Sequence, residues 1–328
     1  MQGVSSIMFR KLFLPLGIAV SVIIAFVLPE PGIWFKGLNC GTNLTVNNLL
    51  IVIVFLVCGW NVDVGATRFD RKFAIIFCAG AVITLMLSPI LGLGTAKLFR
   101  LAALPATGLI VAAAMPPTLS SGIVLTETAN GNALLSILMT VGYNLLSVVT
   151  IPLMLAFCVA GGGQVDTNPV KMFTQLVVLV LVPSVVGFAM QKICRRKLPP
   201  FFSYLSTLAV ILLVWGFFSA SSSQFKEHPL SELFLEGGAA LILHIALLVI
   251  MWFGGVAVKI GVPERKALLF TGASKTITIT ITTLNIIGAD SGAALVPALV
   301  FYFVQSLVDS SLAAKMGLSC EKNSNGEK

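Results

Sequence analysis

Apolar residues run through the chain in ten blocks, near 12–28, 44–60, 73–98, 106–128, 132–160, 172–191, 203–220, 234–258, 266–287 and 292–316. Each is about as long as the roughly 20 residues a helix needs to cross the hydrocarbon core of a bilayer. Lipid offers no partner to exposed backbone groups, so spanning segments are helices or closed barrels. The blocks lack the alternation over about ten residues that marks a barrel strand. The pattern therefore predicts an all-α polytopic membrane protein with ten transmembrane helices. The first block follows Arg10 and Lys11 as a signal peptide would. It ends in Leu28-Pro29-Glu30-Pro31, with no small-x-small cleavage site, and is read as a retained first helix.

Two blocks are interrupted. Block 4 carries Met115-Pro116-Pro117-Thr118-Leu119-Ser120-Ser121-Gly122, where two prolines remove two backbone donors and break a helix. Block 9 carries the small, polar run Thr271-Gly272-Ala273-Ser274-Lys275-Thr276. Each is fourth in a set of five, and because five is odd the two sets have opposite orientations. Broken helices at matching positions of inverted halves are a sequence pointer to a transporter's binding site; a kink with close small-residue packing is the structural alternative. The expected organisation is a first five-helix repeat over 1–160, a linker over 161–171 beginning Gly161-Gly162-Gly163-Gln164, a second repeat over 172–316 and a tail over 317–328.

Composition agrees with this pattern. Charged residues make up 10% of the 328 and hydrophobic residues 57%, against about 25% charged in soluble domains. This excludes a soluble enzyme or a disordered chain. The 21 basic residues lie in short clusters between apolar blocks, without the basic stripe of a nucleic-acid binder. With the N-terminus in the cytoplasm, 15 of them fall on the cytoplasmic side, five (Lys36, Lys97, Arg100, Lys171 and Lys226) on the other, and Lys275 within a span. By the positive-inside rule both termini are then cytoplasmic. The six cysteines are scattered, with no CxxC pair, and read as packing residues.

Other motifs are weak. Gly92-Leu93-Gly94-Thr95-Ala96-Lys97 lacks the spacing and the preceding strand of a phosphate loop. Ser121 and His244 are the sole pair an intramembrane serine protease could use, and a single membrane histidine reads first as a packing or pore-lining group. Asn43-Leu44-Thr45 is a glycosylation sequon close to the membrane on the outer side. Intramembrane acids are costly and often functional. Glu127 ends block 4 and can reach cytoplasmic water, whereas Asp309 either lines a cavity beside Gln305 or pairs with Lys315.

The run Met115 to Ser121, then Asn130-Gly131-Asn132-Ala133-Leu134-Leu135-Ser136 with Thr140, resembles the sodium/bile acid symporter family. The segment Lys192 to Pro200 and Ser274-Lys275-Thr276 make it most similar to the family's divergent SBF-like branch. The resemblance covers nearly the whole chain. It implies a panel domain (helices 1, 2, 6 and 7), a core domain (helices 3–5 and 8–10), and broken helices 4 and 9 that cross in the core. It implies a crossover and substrate region at Pro116, Pro117, Ser120, Ser121, Gly272, Ser274, Lys275 and Thr276, to which Gln305 of block 10 is added as a cavity-lining candidate. It also implies sodium ligands in the Asn132-x3-Ser136-x3-Thr140 pattern, with Thr84 where relatives carry a glutamine. Residues four apart share a helix face and hard cations take oxygen ligands; back-bonding of both hydroxyls to their own helix is the alternative.

The chain departs from bile-acid-transporting members in block 9. Those carry a glutamate before the break; Leu268 to Thr276 holds no acid, and Lys275 stands in or next to an asparagine's place. An ammonium carries sodium's charge and three donors, so the reading is that Lys275 stands in for one sodium and faces an anionic solute, with snorkelling to the surface as the alternative. A lysine that gives up its proton during the cycle would couple transport to protons. The expected function is secondary transport of a small organic anion or amphipathic solute, coupled to sodium or protons, with no enzymatic activity and no cofactor. The alternative is a channel or a membrane regulator of cellular calcium homeostasis, a role linked to this branch; the short tail after block 10 speaks against a regulator.

Overall fold

A computed structural model describes residues 16–39, 45–60, 71–118, 121–159, 168–194, 198–227, 229–289 and 292–326. The helices, in order, are α1 (Leu16–Val27), α2 (Pro29–Gly37), α3 (Val46–Trp60), α4 (Arg71–Ala81), α5 (Ser88–Leu98), α6 (Ala103–Ala114), α7 (Ser121–Thr128) and α8 (Ala133–Val159). There follow α9 (Pro169–Leu176), α10 (Val182–Cys194), α11 (Pro200–Ala220), α12 (Ser222–Glu227), α13 (Leu230–Ala257), α14 (Val262–Ala273), α15 (Ile277–Ile286) and α16 (Gly292–Gly326). Wider π turns at Val82–Leu87 and Val177–Leu181 join α4 to α5 and α9 to α10. Among the described residues the one β contact is an isolated bridge between Asn39 and Thr45. The molecule is all-helical there, and apart from α2 and α12, which lie between blocks, its helices overlap the apolar blocks.

Among the described residues, six helical runs are long and apolar enough to cross a membrane, or seven if α1 and α2, bent by 104°, form one span. Val46–Trp60, Ala103–Ala114 and Tyr204–Ala220 are shorter apolar helices. The bend falls at Leu28, between α1 and the Pro-Glu-Pro start of α2, where proline's fixed φ suits a first turn and not a helix interior. The segment expected as a tail continues α16 to Gly326. Gly161 to Gln164, Cys40 and Asn43 lie outside the described residues.

Two compact units divide the chain. One comprises Met1–Val62 and Thr174–His228, the other Asp63–Phe173 and Pro229–Lys328. In the first, α3 packs closely along α10: a Cβ on Gly59 would meet the Ser184 carbonyl at 2.0 Å, and one on Gly187 the Leu56 carbonyl at 2.1 Å. Contact between small residues is how membrane helices approach closely. The second unit holds every broken helix element discussed below.

In the second unit, α6 and α14 match in detail. Both have 12 residues, and both start from an extended cap, Ala102 (φ −62°, ψ 162°) and Gly261 (φ −65°, ψ 162°). Both end in an extended residue, Met115 (φ −73°, ψ 151°) and Ser274 (φ −72°, ψ 146°). The preceding helices α5 and α13 both end on a left-handed residue, Arg100 (φ 53°) and Lys259 (φ 56°). Leu101 N–H then reaches Ala96 O, and Ile260 N–H reaches Gly255 O, the six-to-one bond that closes a Schellman turn. The displacement is 159 residues throughout: 100 to 259, 103 to 262, 115 to 274.

Candidate functional site

The helix stops at Ala114 and restarts at Ser121, and stops at Ala273 and restarts at Ile277. Each stop leaves carbonyls and each restart leaves N–H groups without helical partners; inside an apolar bundle these groups must find others. The two breaks partly satisfy each other: Thr276 N–H donates to the Pro116 carbonyl at 3.0 Å. At the 159-residue displacement the reciprocal bond would run from residue 117 N to the Lys275 carbonyl. Residue 117 is proline and has no N–H. Gln305 of α16 supplies the missing donor, Nε2 to Lys275 O at 2.7 Å, and its Oε1 accepts from Lys275 N–H at 2.9 Å. The Pro117 carbonyl is taken by Asn144 Nδ2 of α8 at 3.1 Å.

The Lys275 side chain is buried, the residue being 2% exposed. Its Nζ donates to the Thr84 carbonyl at 2.7 Å. This acceptor is free for a local reason. Ser88 N–H bonds Ile83 O in the π register, and by the same register Thr84 O would pair with residue 89, a proline without a donor. The Thr84 hydroxyl in turn donates to the Gly272 carbonyl at 3.1 Å, at the end of α14. Thr84 and the block 9 break are thus joined by two hydrogen bonds. A Cβ on Gly272 would lie 2.6 Å from the Met251 Sδ and Cε, so glycine is what lets α14 approach here. π turns are frequent at functional sites.

Beside the breaks is a cluster of hydroxyls. Ser136 Oγ lies 2.6 Å from Thr271 Oγ1 and accepts from Thr126 Oγ1 at 3.4 Å. Thr140, one turn beyond Ser136, is buried and its hydroxyl has no partner among the described residues; the same holds for Asn144 Oδ1. Asn132 Oδ1 instead accepts from Leu135 N–H at 3.0 Å, the N-cap of α8. Ser274 Oγ bonds back to Thr271 O at 3.4 Å. Ser121 Oγ pairs with Thr118 Oγ1. The structure therefore brings together Pro116, Pro117, Lys275, Thr276, Gln305, Gly272 and Thr84, and separately Ser136 with Thr271. Ser120 lies outside the described residues.

Glu127 is exposed at the end of α7, where it can reach water. Two residues behave otherwise than read from sequence. Asp309 bonds neither Gln305 nor Lys315; its Oδ1 lies 2.8 Å from His244 Nε2, with both side chains buried. Lys266, read as part of a cytoplasmic loop, is buried in α14 with Nζ on the Ala129 carbonyl. The spacing missed Asn144, Thr271 and Thr126 as site residues, and it singled out His244 without its partner Asp309. A period-four stripe, Ser136, Thr140, Asn144, runs along α8 and is the signal that finds Asn144.

An apolar cavity of about 470 Å³ lies on the same unit, lined by Ile76, Ile83, Val258, Ile260 and Leu268 among others. Its wall offers an alkyl body room but presents almost no polar surface.

A multi-pass bundle of apolar helices, with polar groups gathered at two interlocked breaks, defines a membrane protein. The chain belongs to the SBF-like CPA transporter family, whose profile matches residues 13–317. It is similar to the probable sodium/metabolite cotransporter BASS4, chloroplastic, of Arabidopsis thaliana, 26% identical over 92% of this chain and 71% of that protein. Sodium/bile acid cotransporter 7 of Danio rerio is 24% identical over 90% of this chain and 91% of its own. An uncharacterized Pseudomonas aeruginosa protein is 23% identical over 94% and 95%. The chain is thus a membrane transporter related to the bile acid:sodium symporters.

Proposed function

We propose that the protein is a secondary active transporter that moves a small organic anion or amphipathic solute by alternating access, coupled to sodium or protons. The observation that carries this reading is the interlocked pair of helix breaks, Pro116 to Thr276, with the buried Lys275 in one of them reaching the Thr84 carbonyl. The N-terminal ends of α7 and α15 both begin at these breaks; such ends carry partial positive charge and favour anions. Lys275, when protonated, adds charge of the same sign. The apolar cavity suits the hydrocarbon part of an amphipath.

The matched α6 and α14, with their matched caps, support ten spans in two inverted five-helix repeats, 1–160 and 172–316. In this reading the unit containing Asp63–Phe173 is the core and that containing Thr174–His228 the panel, with both termini cytoplasmic. Ser136 and Thr140 line a cation site, and Lys275 takes the place of one sodium. The sodium named for the relatives makes that ion the first to test, and the missing acid of block 9 argues against bile acid as the solute.

The test is uptake into proteoliposomes of a panel of organic anions and amphipaths, under imposed sodium, proton or null gradients. Accumulation driven by one gradient is expected. Flux that only dissipates the solute's own gradient would point to a channel instead.

A further inference from the structure

His244 lies in the middle of α13, 14 residues from Leu230 and 13 from Ala257, or roughly 20 Å from either end at 1.5 Å per residue. The residue is 0% exposed and Asp309 1%. The Nε2–Oδ1 contact of 2.8 Å fixes which ring nitrogen meets the acid. The other, Nδ1, is buried and has no partner among the described residues. The Phe301 ring stands edge-on to the imidazole, with centroids 5.9 Å apart and an interplanar angle of 87°.

A neutral imidazole donating from Nε2 to an aspartate leaves a full negative charge in apolar surroundings, and an isolated buried charge is costly. One added proton makes the pair net neutral, either on Nδ1 as an imidazolium or on the carboxyl. We propose that His244 and Asp309 form an intramembrane site that binds one proton from water, with Nδ1 as its open seat, and that this site reports to the crossover through α16. The connection is short. Asp309 lies four residues after Gln305, on the same face of one helix, and Gln305 holds both backbone groups of Lys275. Binding or loss of the proton changes the charge at Asp309 one turn from that clasp. No bond other than N–H or O–H is made or broken, and the proton comes from and returns to water. The coupling role rests on the transporter reading; the proton site itself does not.

Lys275, held by Gln305 one turn from Asp309, directs its Nζ to the Thr84 carbonyl, and Glu127 of α7, which packs on α16, is exposed. Along α13, Glu236 is buried two turns before His244. From α14, Arg265 lies over the Trp252 ring and Lys266 on the Ala129 carbonyl, while Glu264 sits in its first turn. Lys97 of α5, Arg71 and Lys72 of α4, and Lys315 of α16 are exposed.

The chain has two histidines, His228 and His244, so ¹⁵N-histidine NMR of the full-length His228→Gln protein in lipid nanodiscs reads His244 alone. The expected result is a reversible change of the Nδ1 resonance between unprotonated and protonated forms as the pH is lowered and raised again, with loss of the protonated form in Asp309→Asn. A ring that stays in one form throughout, neutral or charged, would overturn the proposal, and the parent protein decides this even if Asp309→Asn does not fold. Titration of His244 in a protein that moves no solute under any gradient would keep the proton site and count against the transporter reading.

Discussion

Lys275 Nζ and the Thr84 carbonyl, 2.7 Å apart, join the break of block 9 to a π turn that lies 191 residues earlier. The acceptor exists because the π register sends Ser88 N–H to Ile83 and Pro89 has no donor to give. A proline in one helix thus creates the carbonyl that receives an ammonium from another. Thr84 returns a bond to Gly272, so movement of α4–α5 against α14 must break two buried hydrogen bonds or carry both partners along.

Removing the charge tests whether Lys275 is a structural post. In Lys275→Met the protein no longer bears a mid-span lysine, which costs about 2.5–3.5 kcal/mol on insertion scales. Against this, the buried Thr84 carbonyl loses its partner, at about 1–3 kcal/mol. The two largely offset, and unfolding in detergent should shift by no more than about 2.5 kcal/mol. A loss above about 4 kcal/mol would make the residue primarily structural.

Gln305 is the opposite case. Gln305→Leu leaves the N–H and the C=O of Lys275 buried and unpaired, each at about 1–3 kcal/mol. Stability should fall by about 2–6 kcal/mol, measured by the same unfolding assay. A neutral substitution would mean that the break finds other partners.

The hydroxyl cluster separates stability from ion binding. Thr140 Oγ1 has no partner among the described residues, so Thr140→Val should leave unfolding unchanged or slightly improved. Ser136→Ala removes the partner of Thr271 and should cost about 1 kcal/mol. If these oxygens hold the coupling ion, the double variant loses most cation dependence of uptake while remaining folded. Unchanged cation dependence would show that the hydroxyls bind no coupling ion.

The distribution of Lys and Arg predicts that cysteines introduced near Arg196 and after Lys322 are both shielded from impermeant thiol reagents in sealed right-side-out vesicles. Labelling of one and not the other would contradict ten spans with both termini inside.

Much of the fold was legible because membrane helices announce themselves by length and apolarity. Pro116-Pro117 marked one break outright, and the polar run Thr271 to Thr276 marked the other. The partners were less legible. The destination of Lys275 depends on a π turn, and a carbonyl orphaned by register leaves no trace in side-chain pattern. Asp309 was read against neighbours on its own helix, whereas it meets His244 across 65 residues, a pairing that packing of α13 on α16 decides. Lys266 looked like a loop charge because it stands beside Glu264 and Arg265, yet the helix starts at Val262 and turns it inward.

The central claim, that the buried ammonium of Lys275 serves transport, is tested most directly by gradient-driven uptake in proteoliposomes. Wild type would be compared with Lys275→Ala, Lys275→Gln and, as a charge control, the exposed Lys259→Gln. The account predicts uptake abolished or made newly sodium-dependent in both Lys275 variants, and retained in Lys259→Gln. Normal, sodium-independent uptake by Lys275→Ala would contradict it.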